Sequence, residues 1–169
     1  RFLLPPPASG GVRAGTVLDV KLGFTVHLPQ KGRVGARMWR ADDGSTGAPL
    51  TGRVFPLGTD RDIAVLISAT QDVEPQVRQY ISSHTLDIGT MLSFSFEGGP
   101  GQQSITGGAH AAALAEQVAN AIRRTKAEAP DAIVHEFASV PKAMLFCLWQ
   151  QQPAIHPSSI SGVCWNRRG

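Results

Sequence analysis

Four short stretches of this chain gather small hydrogen-bond donors and single cations just after apolar runs. They are Thr70-Gln71-Asp72, Ser104-Ile105-Thr106-Gly107-Gly108-Ala109-His110, Ser139-Val140-Pro141-Lys142 and Trp165-Asn166-Arg167. Hydroxyls, amides and unpaired backbone N–H groups in such places hold anions and read polar edges. Where a glycine loop enters a helix, the free N–H groups and the dipole favour a phosphate. Thr106, Gly107 and His110 form one such start, and phosphates are expected there and at Lys142. A cation in a first helical turn opposes the dipole, so Lys142 makes a nearby anion more favourable. Gln71, Ser104 and Asn166 are expected to read base edges, with Thr70, Ser139 and Arg167 beside them. Trp39 and Trp165 either stack on bases, worth roughly 1–3 kcal/mol each, or pack into the core. His110 reads either as a helix-start residue at the surface or as a donor to a phosphate.

Bond-breaking chemistry finds no comparable support. His27, His84, His110, His135 and His156 include no pair at i+3 or i+4, so no HExxH metal motif exists. GxSxG and GxxxxGK[ST] are both missing. Gly99-Pro100-Gly101-Gln102-Gln103-Ser104 approaches GxGxxG but has no third glycine and carries a proline inside the turn, which argues against a nicotinamide-binding domain. His135 reads as a structural histidine in a strand, and Asp42 and Asp43 as solvated turn residues. No metal or cofactor is expected.

The elements that must position these residues alternate. Ile63 to Ser68 is a continuous apolar run of strand length, followed by cap candidates Thr70 and Asp72 and a helical pattern at Val73, Val77, Tyr80 and Ile81. Met91 to Glu97 alternates as a strand, Gly98 to Gly108 is a glycine-rich turn, and Ala109 to Ala129 is an amphipathic helix with Leu114, Val118, Ala121 and Ile122 on one stripe. Ala132 to Phe137 is the next strand, Pro141 opens a helix, and Ser159 to Trp165 is a last strand. Earlier, Thr16 to Leu28 reads as a strand from Val20 on, with a helical turn as the alternative for its opening, Gly35 to Ala41 as a short strand or connector, and Asp42 to Pro49 as a loop. This is a doubly wound α/β layout, whose ligands bind at strand carboxyl ends.

A chain of 169 residues with 42% hydrophobic and 17% charged residues suits one compact domain. Its net charge of +3, without a run of five like charges, fits an anionic ligand but not a duplex-DNA groove binder. No apolar run reaches membrane-spanning length. Cys147 and Cys164 lie far apart and read as free thiols in a reducing compartment. The proline-rich residues 1–14 read as a linker from a missing N-terminal domain, leaving 15–169 as the folded unit.

Three stretches carry a family resemblance: Ile63-Ala-Val-Leu-Ile-Ser-Ala-Thr-Gln-Asp-Val73 running into Val77-Arg-Gln-Tyr-Ile81, then Ala109-His-Ala-Ala-Ala-Leu-Ala-Glu-Gln-Val118, then Ile133-Val-His-Glu-Phe-Ala-Ser-Val-Pro-Lys-Ala143. Together they resemble the SAVED domain, the sensor module of bacterial CBASS anti-phage effectors. The resemblance covers roughly residues 15 to 168. It implies an α/β, Rossmann-like fold of two fused CARF-like halves, with mainly parallel central sheets flanked by helices. It also implies a non-catalytic, cytoplasmic receptor for a cyclic oligonucleotide made by a CD-NTase. Ligand binding would drive self-association and switch on a fused effector. The length most resembles HNH nuclease–SAVED effectors, which implies a cyclic dinucleotide such as cGAMP. A ring nuclease that cleaves its own ligand, with His110 and Lys142 as the available groups, is the alternative.

Overall fold

The apolar run beginning at Ile63 forms the middle strand of a five-stranded sheet. In the computed structural model, residues 2–3, 26–32, 35–84, 86–151 and 160–164 are described. In chain order the elements are β1 (Phe2–Leu3), β2 (Val26–Gly32), β3 (Gly35–Arg40), β4 (Thr51–Pro56), β5 (Asp62–Ser68), α1 (Glu74–His84), β6 (Ile88–Ser95), α2 (Gly108–Glu128), β7 (Val134–Ser139), α3 (Lys142–Gln150) and β8 (Ile160–Cys164). The main sheet has the order β4-β6-β5-β7-β8. Its β6–β5, β5–β7 and β7–β8 pairings are parallel, and β4 joins β6 antiparallel.

β5 is apolar at successive positions because helices cover both of its faces. Ile63, Val65 and Ile67 enter a core with Leu114, Val118 and Ile122 of α2 and Met144 and Leu148 of α3. Ala64 and Leu66 point the other way, into a smaller core with Val77 of α1, Met91 and Phe137. Each fully buried branched side chain contributes about 1.5–3 kcal/mol. The chain steps from β5 to β6 in one direction, then crosses back over β5 to reach β7. Crossovers of constant hand, reversed in direction, place α1 and α2 on opposite faces. The reversal leaves a switch point between the carboxyl ends of β5 and β7.

β4 was not anticipated from the sequence, because Thr51-Gly-Arg-Val-Phe-Pro56 has no clean alternation and lies between two loops. Its exposed edge is blunted in two ways. The Gln117 side chain pairs with the Leu50 backbone like a strand, accepting from its N–H at 3.1 Å and donating to its carbonyl at 2.6 Å. Pro56 has no N–H to offer.

β1, β2 and β3 form a separate three-stranded sheet. β2 and β3 pair antiparallel, with Leu28 opposite Trp39 and Gln30 opposite Arg37. Trp39 packs against the larger core, and the Gln30 side-chain oxygen accepts the Ala143 N–H at 3.4 Å. The α/β, Rossmann-like expectation is met, with a mixed rather than wholly parallel main sheet. Among the described residues there is one such helix-flanked sheet; in the second sheet β1 pairs parallel with β2, and residues 4–25 between those two strands lie outside the described residues. Of the expected strand Val20 to Leu28, only the part from Val26 lies within the described residues.

Candidate functional site

The switch point brings two of the sequence-predicted residues into direct contact. The Ser139 carbonyl ends β7 and accepts the Ala69 N–H at 3.0 Å, the Thr70 N–H at 2.9 Å and the Thr70 hydroxyl at 3.1 Å. The Thr70 and Ser139 hydroxyl oxygens lie 2.7 Å apart. Thr70 has one hydroxyl proton, so if it goes to the carbonyl, Ser139 donates to Thr70 Oγ1. The glycine loop after β6 is tied to the same place, since Gly101 N–H donates to the Ala69 carbonyl at 3.0 Å. Ser104 N–H in turn donates to the Gly101 carbonyl at 3.2 Å, and Ile105 is buried beneath the loop. Gln71 is exposed just beyond Thr70, and Ser104 is half-buried. Asp72 is engaged in starting α1, accepting the Glu74 N–H at 3.0 Å, while Ser68 accepts the Val73 N–H at 3.1 Å.

Lys142 is exposed at the first residue of α3, next to this crevice. Pro141 precedes it and makes no side-chain cap. The carboxyl ends of β5 and β7 therefore carry paired hydroxyls, a glycine loop tied to Ala69 and a cation three residues beyond Ser139. That arrangement has the chemistry to suit a polar anion, and among the described residues it includes no nucleophile–base pair.

The start of α2 is different from expectation. Its N–H groups are already taken by Asp43, which accepts from Gly108 N–H at 2.7 Å and Ala109 N–H at 3.1 Å. Ser45 Oγ takes the His110 N–H at 3.1 Å. His110 is buried, with Nε2 2.9 Å from the Ala48 carbonyl and Nδ1 3.3 Å from the Thr106 N–H. These partners fit Nε2 as donor and Nδ1 as acceptor. The Thr106 hydroxyl donates to the Thr46 carbonyl at 2.9 Å. The expected phosphate position at Thr106, Gly107 and His110 is thus corrected: a carboxylate from a loop 65 residues earlier neutralises that helix end. A bound phosphate there would meet a fixed negative charge. Partial desolvation would raise the Asp43 pKa, but hydrogen bonds from the Ser45 side chain and the Ser45, Gly108 and Ala109 N–H groups win. They hold the carboxyl well below the usual carboxylate range. Asp43 is also corrected, from solvated turn residue to helix cap, whereas Asp42 stays at the surface in a 2.8 Å ion pair with Arg40. Ser45 is a local partner of Asp43, but nothing local marks its capping role, because the Gly108 and Ala109 N–H groups are distant in the chain.

Trp39 is half-buried and packs against the core. His135 lies at the opposite end of the sheet, 2.9 Å from Asp62, in the structural role expected of it. Among the described residues no group of three His, Cys, Asp or Glu could hold a metal ion. Trp165, Asn166 and Arg167 lie outside the described residues, as do most of residues 1–14.

A family model for SAVED, the SMODS-associated and fused to various effectors sensor domain, matches residues 2–160. The chain belongs to the SAVED family. CD-NTase-associated protein 4 of Enterobacter hormaechei subsp. hoffmannii (strain UCI 50) is 34% identical to this SAVED chain over 151 residues, 89% of the chain and 30% of that protein. The Acinetobacter baumannii Cap4 SAVED/CARF-domain containing receptor with the cyclic trinucleotide 2′3′3′-cAAA has the same fold. Its TM-score is 0.63 at 16% identity, over 93% of this chain and 33% of that one. The same receptor with 3′3′3′-cAAA gives 0.60 at 16% identity, over 91% and 33%. The SAVED chain thus spans about a third of the length of these relatives. Among the described residues no helix is long and apolar enough to cross a membrane.

Proposed function

We propose that this chain is the receptor portion of a larger CBASS effector and binds a cyclic oligonucleotide across the β5/β7 switch point. The observation that carries this reading is the Thr70–Ser139 hydroxyl pair at the reversal of strand order, in a chain of a sensor family. The site sits where open α/β sheets receive ligands, and it joins polar donors to a cation without a catalytic pair. In this reading Thr70, Ser139 and Lys142 touch the sugar–phosphate ring, and Gln71 and Ser104 read base edges. Cyclic trinucleotides are the first candidates, because the fold neighbours with ligands hold them; the cyclic dinucleotide class is the second. The product of a CD-NTase would be the source. The ligand signals by preferring one assembly state, since equal affinity for both states would shift nothing. Self-association and a fused effector of HNH type are parts of the same proposal.

Calorimetric titration of the full-length protein with 2′3′3′-cAAA, 3′3′3′-cAAA and 3′3′-cGAMP tests it. One compound should bind and be recovered intact by chromatography after incubation. A flat response to all three overturns the reading, and a linearised product would replace a sensor by a ring nuclease.

A further inference from the structure

We infer that Arg37 is a second cation of the ligand site, contacting a phosphate from the three-stranded sheet; this rests on the reading just proposed. Side chains alternate along a strand and directly opposed residues share a face. Leu28 and Gln30 on β2, opposite Trp39 and Arg37 on β3, therefore share one face of the ribbon. Two contacts show which way that face points. Trp39 packs on the core of the main sheet, and Gln30 holds the Ala143 N–H in the first turn of α3. Arg37 is thus on the inward face yet is exposed, paired across the ribbon with the Gln30 whose side chain reaches α3. Arg40 has Asp42 at 2.8 Å, whereas Arg37 has no carboxylate within ion-pair distance among the described residues. Lys142, the residue before Ala143, has none either. Two cations so placed repel each other unless an anion lies between them. Lys142 follows Ser139, the β7 end that meets Thr70, by three residues, and the Gln30 contact brings the ribbon to the same helix start. A guanidinium supplies a planar fork of donors for a phosphate, which Lys142 cannot.

The test compares full-length wild type with R37Q, R37K and R53Q, using the tightest-binding of the three cyclic nucleotides. Arg53 is an exposed residue of β4, so R53Q makes the same charge change on a different strand. R37Q should weaken binding about tenfold at about 50 mM salt, with the gap closing as salt rises, and should keep its melting temperature. R37K should recover part of the loss, and R53Q should stay within about twofold of wild type. Wild-type affinity in R37Q, or an equal loss in R53Q, overturns the inference while leaving the proposed function standing. If wild type binds none of the compounds, both fall.

Discussion

At the scale of single residues, the charged side chains divide by what surrounds them rather than by what flanks them in sequence. Asp42 and Asp43 are neighbours, but one pairs with Arg40 in solvent and the other closes the N-terminus of α2. The depressed Asp43 pKa has a consequence for stability. The folded carboxyl titrates below the unfolded value of about 3.9, so its contribution is present above that pH and is lost as pH falls toward the folded value. Asp43→Ala should cost about 0.5–2 kcal/mol at pH 7 in urea unfolding, and the difference from wild type should shrink below about pH 4. Thr70→Val tests the switch point. It removes one hydroxyl from the switch point while both backbone N–H bonds to Ser139 remain. Its expected cost in stability is about 1 kcal/mol, with a clear loss of cyclic-nucleotide affinity by calorimetry. Burial pushes the Cys147 thiol up to about 11, which keeps it protonated and inert at neutral pH.

The elements show how side chains finish what the backbone leaves open. Gln117 of α2 completes the edge of the main sheet by pairing with Leu50, in the chain just before β4. Gln117→Ala leaves one N–H and one carbonyl without that partner. It should lower unfolding free energy by about 1–2 kcal/mol and increase self-association seen by light scattering, because a longer stretch of free edge is exposed. The loop between β3 and β4 depends on close approach. A Cβ at Gly47 would overlap the His110 ring, and one at Gly108 would overlap the Arg40 carbonyl. These glycines let the loop lie flat on the start of α2, so Asp43 and Ser45 can reach its N–H groups.

In the molecule as a whole, the three-stranded sheet is joined to the main body through α2 and α3. Trp39 on the core, Gln30 at α3 and Asp43 at α2 join the ribbon to the main body. The ligand site proposed here draws on both parts, Thr70 and Ser139 from the body and Arg37 from the ribbon. Trp39→Ala should therefore loosen the ribbon without unfolding the sheet. Hydrogen exchange is expected to quicken in 26–40 while β5, β6 and β7 stay protected, and ligand affinity should fall. Equal loss of protection everywhere would mean that the two sheets unfold as a single cooperative unit.

The residues alone determined the main sheet's helices and all its strands but β4, because local patterns carry them: Ile63 to Ser68, the Leu114–Val118–Ile122 stripe, and the proline before α3. They also marked the strand ends where Thr70, Ser139 and Lys142 stand. Tertiary structure decided what the patterns cannot contain. It chose the strand order that brings Thr70 against Ser139, and it filled the α2 start with Asp43. It also made β4 a strand by pairing it with β6, and turned Trp39 to packing. Each of those outcomes is a contact between residues far apart in the chain, and long-range partners are selected by packing and charge in three dimensions, which leave no periodic trace in one.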